Sequence, residues 1–258
     1  MGRTTNQQNR KPEEENILLE TEHFRVFGEE MQAETAQCFA ELLEREYVKI
    51  HKDFHFPAQP EDGEGNGAES CPAGKIAADK LCCYLCSNVP QYLRLTGKRQ
   101  EDYQPWMVGY SDSPIGKICL LLPGSGEEQE LQELKKIAVH ELVHIIFDRC
   151  CGVMEGEAWL CEGIAILYAG QTDLQYVSDT EYPKIRELGG CCTDGETPDE
   201  FADNGGYDYA GIYVWYFIEK YGFEKFLAAY KNELCLPEFI FEGFEQEAIL
   251  AYRKGAEV

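Results

Sequence analysis

Apolar residues recur along this chain at two different periods, and the period changes near its middle. Over 22–27 apolar and polar positions alternate, the mark of a half-buried strand. Over 33–54, Phe39, Leu42, Leu43, Tyr47 and Ile50 fall at helical spacing and predict an amphipathic helix. The stretch 57–74, rich in Pro, Gly, Glu and Asp, predicts a loop. Strands are expected over 81–89, 106–110 and 117–122, the last stopped by Pro123 and Gly124. From there helical spacing takes over. A long helix is expected over 127–147, its acidic first turns set against the positive end of the helix dipole. A second follows over 157–168, with Gly170 just beyond its end. A polar, Gly-rich connection over 187–208 leads to helices over 209–221, 224–232 and 241–252. Residues 1–16 read as a disordered polar tail. Strands first and helices later predict an α+β chain with two lobes.

The chemistry sits in the long helix, at His140-Glu141-Leu142-Val143-His144. Helical residues four apart share a face, so both imidazoles can meet one metal ion. Glu141 lies beside that face, near the metal but free of it. Val139, Leu142, Val143 and Ile146 fall on the opposite side, which predicts one packing stripe and one chemical stripe. Two histidines packed in the core of an ordinary amphipathic helix are the plainer alternative. A second string, Trp159-Leu160-Cys161-Glu162-Gly163-Ile164-Ala165, puts a carboxylate in an otherwise apolar helix, where it needs a partner. Catalytic zinc takes three protein ligands and keeps one open position, and Glu162 would complete the set with His140 and His144. An exposed Glu on the helix surface is the alternative there. Cys150, Cys151 or Cys161 are other candidates for a third ligand, since zinc accepts thiolate readily.

These two strings together resemble the gluzincins, the thermolysin-like superfamily of zinc metallopeptidases, and most of all their compact peptidase-MA-like members. Pattern-level similarity extends over roughly 22–232, while only the two strings are specific. The resemblance implies a zincin-like two-lobed metallopeptidase. Residues 17–258 would be one peptidase domain, with an N-terminal subdomain (17–150) of mixed sheet and active-site helix and a helical C-terminal one (151–258). It implies zinc on His140, His144 and Glu162, and Glu141 as general base in peptide-bond hydrolysis. Gluzincins commonly stabilise the oxyanion with a Tyr or His of the C-terminal lobe. No His follows His144, so Tyr207 and Tyr209 are the candidates. The resemblance also implies that an edge strand near 117–122 pairs with the substrate backbone. The chain departs from the pattern at Ile166, where many gluzincins carry a carboxylate that orients a zinc histidine. Asp148, Glu155 or Glu157 would have to substitute.

Composition narrows the partners. The net charge is −24, which repels phosphates and argues against nucleic acid and anionic membranes. A peptide or protein substrate fits better. No apolar run reaches the roughly 18–20 residues of a membrane span, and residues 1–20 carry no apolar leader segment. Several of the twelve cysteines sit inside apolar runs, as small buried hydrophobes do, so reduced thiols in the cytoplasm are expected. His51 with His55, and Cys83 with Cys86, repeat metal-like spacings but lack the further ligands a site needs. A binding or regulatory protein on a peptidase scaffold, and a zinc hydrolase of another amide or ester, are the rival functions.

Overall fold

The computed structural model describes residues 16–56, 80–124, 127–152, 157–189 and 199–256. The expected tail over 1–16 and loop over 57–74 lie outside these residues, apart from Asn16. Five strands, β1 (Ile17–Glu20), β2 (Phe24–Phe27), β3 (Leu81–Cys86), β4 (Gly109–Asp112) and β5 (Lys117–Leu121), form one sheet in the order β1-β2-β3-β5-β4. The central pairs β2–β3 and β3–β5 are parallel, and the outer pairs are antiparallel. The sheet is therefore mixed, with a parallel centre that must be covered on both faces.

The period-two alternation shows which residues face each cover. Leu81, Cys83 and Leu85 of β3, with Ile118 and Leu120 of β5, enter the main core. Cys86 and Cys119 point the other way, into a small cluster with Tyr92 and Leu93. Cys83 and Cys86 thus lie on opposite faces, which removes them as a shared metal pair. The main-core face is covered by α1 (Ala33–Asp53) and α3 (Glu128–Cys151), and the opposite face by α2 (Val89–Thr96). Tyr92 of α2 ties its hydroxyl to the Gly109 carbonyl at 2.7 Å, fastening α2 to the outer strand.

Two elements here were not expected from the pattern, β1 and α2. Each is too short for a period to stand out, and the predicted strand over 81–89 ends at Cys86, where Asn88 caps α2 by accepting the Gln91 N–H. The outer strand begins later than expected, at Gly109 rather than 106. More consequentially, β5 is an interior strand, flanked by β3 and β4. The edge beside α3 is β4, because the chain doubles back through the turn at 113–116 before β5 enters the sheet.

The longer elements that follow are helices: α4 (Ala158–Ala169), α5 (Asp199–Asp203), α6 (Gly206–Tyr221), α7 (Phe223–Tyr230) and α8 (Phe244–Ala256). α4 is the hinge of this part, packed against α3 on one side and α6 on the other. The α4–α6 contact is close enough that Gly163 cannot carry a side chain. A Cβ there would stand 2.5 Å from Val214 Cγ2 and 2.6 Å from the Ala210 carbonyl oxygen. The Val214 methyl can rotate away but the backbone oxygen cannot. Gly163→Ala is therefore expected to destabilise the protein by about 1–3 kcal/mol through overpacking, read as a lower denaturation midpoint in urea. The chain is thus an α+β protein, and among the described residues no helix is long and apolar enough to cross a membrane.

Candidate metal centre

α3 enters the fold with its acidic first turns in solvent and is progressively enclosed. From Ala138 to Phe147 it is buried nearly all round, because the sheet, α1 and α4 surround it. The expected packing stripe is therefore wider than the spacing suggested and takes in Ile145 and Phe147 as well. Within that stretch only Glu141 and His144, on one helical face, stay half-buried, and Asp148 continues the face one turn on. That face meets β4 on one side and α4 on the other.

His140, His144 and Glu162 come together here, with ligand atoms all within 4.8 Å of one another. The two Nε2 atoms are 2.9 Å apart. His140 Nε2 is 3.1 Å from Glu162 Oε2 and His144 Nε2 is 3.6 Å from Oε1. Two ligands each about 2.0–2.1 Å from a tetrahedral zinc would be about 3.3 Å apart. The three separations bracket that edge, and the donor set of two imidazoles and one carboxylate suits a borderline divalent cation. His140 and Glu162 are buried, at 8% and 5% exposure. These residues can hold a metal ion.

The electrostatics agree with a site made for positive charge. Burial alone pushes the His144 imidazolium down, but Glu162, supported by Glu141 and Asp148, more than reverses this and raises its pKa to about 9. Burial likewise pushes the Glu162 carboxyl up, yet the two histidines hold it well below the usual carboxylate range. The sign for stability follows from linkage. A raised His144 contributes fully below its ordinary value of 6.5 and loses its contribution as pH rises through about 9. A depressed Glu162 contributes above its ordinary 4.5 and loses its contribution as pH falls through the lowered value. Metal-free protein is thus expected to melt at steadily lower temperature from pH 6.5 to 9, while metal-loaded protein is not. Metal uptake near pH 7 should also release about one proton, because the ligand must be the neutral imidazole. Calorimetric titration in buffers of different ionisation enthalpy reads that proton directly.

Glu141 stands apart from the three. Its Oε2 accepts the Ser111 hydroxyl at 2.6 Å. Ser111 lies on β4, and two residues earlier Gly109 leaves room for the same carboxylate: a Cβ there would be 2.8 Å from Glu141 Oε1 and would also strike Ile137. The edge strand and the α3 carboxylate are therefore built against each other. Neither Ser111 nor Gly109 carries a sequence signal of this, since a short strand that meets a helix side-on leaves no spacing to read.

Around the histidines the outer partners differ from those expected. His140 Nδ1 lies 2.7 Å from Gln171 Oε1, just past the end of α4. His144 Nδ1 faces Cys161 Sγ at 3.5 Å. Cys161 thus meets the nitrogen of His144 that points away from Glu162, which argues against it as a ligand in this cluster. Of the expected substitutes for Ile166, Asp148 acts on His144 through its charge, Glu157 is exposed, and Glu155 lies outside the described residues. Tyr209 is buried, and its hydroxyl donates to the Glu181 carbonyl and accepts the Ser178 N–H, at 3.2 and 2.8 Å. Tyr207 is partly exposed and sets its ring edge-on to Phe201. His51 is buried against Tyr47 while His55 is exposed, so these two do not form a second pair.

The fold and the site together define an α+β protein with a buried, two-histidine, one-carboxylate cluster able to hold a metal ion. Comparison of the chain with protein-family models, with curated proteins and with solved structures finds no match.

Proposed function

We propose that this protein is a zinc-dependent peptidase of the gluzincin type, with a zincin-like two-lobed arrangement around the α3–α4 site. The observation that carries the reading is the convergence of His140, His144 and Glu162 on one point with a second carboxylate, Glu141, beside them and outside the ligand set. A purely structural metal site has no use for that second carboxylate. Zinc held there supplies Lewis acidity to a water molecule and to the scissile carbonyl. Glu141 takes a proton from the attacking water as its oxygen bonds to the carbonyl carbon. It then passes that proton to the amide nitrogen as the C–N bond breaks, so the products are a carboxylic acid and an amine. Ser111 holds Glu141 in place through Oε2, and Oε1 is the oxygen assigned to this exchange. β4, which carries Ser111 and is the outer strand of the sheet among the described residues, is the place for an extended substrate backbone to pair, giving affinity with little sequence reading. The single proton of Tyr209 is already given to Glu181, which argues against Tyr209 as the oxyanion donor and leaves Tyr207 as the candidate of the resemblance. The cysteines fit a reducing compartment such as the cytoplasm; no two of them are joined among the described residues.

The test is digestion of an unbiased peptide library by zinc-loaded protein, followed by mass spectrometry, beside the same protein stripped by a chelator. Metal-dependent cleavage products support the reading. A loaded protein that leaves every peptide intact but hydrolyses simple esters or acyl amides moves it to another hydrolase, and inertness towards both moves it to a binding protein.

A further inference from the structure

Two imidazoles can present Nε2 lone pairs to one cation only if the ring proton of each sits on Nδ1, and a buried N–H needs an acceptor. Both Nε2 atoms here face each other and Glu162. Each Nδ1 therefore has to find its own acceptor on the outer side. His140 finds Gln171 Oε1, at 2.7 Å. The chain delivers it through the end of α4: Gly170 turns left-handed at φ 65, and the Gln171 N–H bonds back to the Ile166 carbonyl. That local turn fixes the backbone from which the amide reaches α3. His144 finds Cys161 Sγ, at 3.5 Å. The same sulfur receives the hydroxyl of Tyr230, a buried residue of α7, at 3.8 Å. The Tyr230 hydroxyl donates to this sulfur, and with the His144 proton on Nδ1 the sulfur is placed to accept it as well.

We propose that Gln171 and Cys161 are the positioning residues of the metal centre, holding His140 and His144 as Nδ1–H tautomers with their Nε2 atoms turned to Glu162. This inference rests on the metal-centre reading above and assigns the role usually given to a carboxylate to an amide and a thiol. It also accounts for Ile166: its side chain packs in the core, and the histidine partner comes from the turn that follows. A neutral amide polarises His140 less than a carboxylate would. The centre is accordingly one that a single substitution can tighten.

The experiment is a cobalt(II) and zinc titration of chelator-stripped full-length protein against a chromophoric competitor, with the cobalt absorption spectrum and the long-range nitrogen NMR signals of the histidine rings as further readouts. Gln171→Ala is expected to weaken metal binding about 10–100-fold and to alter the cobalt spectrum. Gln171→Glu, which keeps an acceptor at the same place, is expected to bind at least as tightly as the wild type. Cys161→Ala should weaken binding by a smaller factor and Cys161→Ser should restore it. In the metal-free wild type the His140 signals should report a proton on Nδ1, and in Gln171→Ala they should change. Rescue by the acceptor-bearing variants separates positioning from a folding defect. If His140→Ala abolishes binding while Gln171→Ala and Cys161→Ala retain wild-type affinity and spectra, the positioning proposal is overturned and the metal centre stands. If the wild type binds no cobalt or zinc, the metal-centre reading itself falls and takes the proposal with it.

Discussion

Glu162→Ala is expected to leave the purified protein almost without metal, where the wild type carries about one zinc per chain. The loss should exceed the ~10–100-fold typical of an outer partner, because Glu162 would itself be one of three protein ligands. Its carboxylate is buried and faces both imidazoles at 3.1 and 3.6 Å. No other carboxylate joins the cluster among the described residues. The same substitution removes the charge that holds the His144 proton, so the pKa of about 9 should fall and the alkaline loss of stability in metal-free protein should disappear with it. Glu162→Gln separates charge from volume: it keeps the shape of the side chain and should lose the metal nearly as completely. Elemental mass spectrometry of the three proteins, with His144 followed by NMR titration, measures both effects. Zinc retained at the wild-type level by Glu162→Ala would exclude Glu162 as a ligand and return attention to the thiols of Cys150, Cys151 and Cys161.

Glu141→Gln should do the opposite, keeping the zinc and losing the reaction. Glu141 is not among the ligand atoms that meet at the cluster, so metal content should stay near one per chain. The amide can still accept the Ser111 hydroxyl through its oxygen, as the carboxylate does, so the fold around β4 should be unchanged. It cannot take a proton from water. General acid–base catalysis by a positioned side chain contributes about 10²–10⁴-fold, and kcat is expected to drop by that factor with little change in KM. A variant that turned over at the wild-type rate would show that water is activated elsewhere. The two variants together form a contrast: one protein without metal, the other with metal and without turnover. A folding defect would reduce both quantities in both proteins.

The parts of this design that are legible in the sequence are those in which every interacting group lies on one element. Two histidines one turn apart must share a face of any helix that contains them, so His140 and His144 declare their pairing through backbone geometry alone. Glu162 declares itself by the cost of placing a carboxylate in an apolar helix, and that helix is indeed buried along most of its length. The long helices and the central strands carry enough repeats for their period to be read, and α1, α3 and α4 begin or end within a few residues of where the pattern puts them. The short elements β1 and α2 do not, since a strand of four residues and a helix of eight hold too few repeats to be told from a loop.

Apart from the meeting of Glu162 with the two histidines, the contacts between elements were decided by the tertiary structure. The reversal that places β4 outside β5 rests on which strand the sheet can accept as its edge, and the hydrophobic alternation of the two strands does not encode it. Ser111 reaches Glu141 across a strand–helix contact, Gln171 reaches His140 from beyond a helix end, and Cys161 lies between His144 and Tyr230 of a helix much later in the chain. The expected carboxylate partner is absent at Ile166 because that position faces the core, where a charge would go unpaired. Tyr209 shows the same limit from the other side: the resemblance offered it as an oxyanion donor, and packing turned its hydroxyl to Ser178 and Glu181 instead. Hydrogen bonds of this kind join residues far apart in the chain, and their partners are selected by distance and direction in the packed state. The ligands of the candidate centre were thus written in local spacing, whereas the groups that orient them exist only once the helices and the sheet have closed around them.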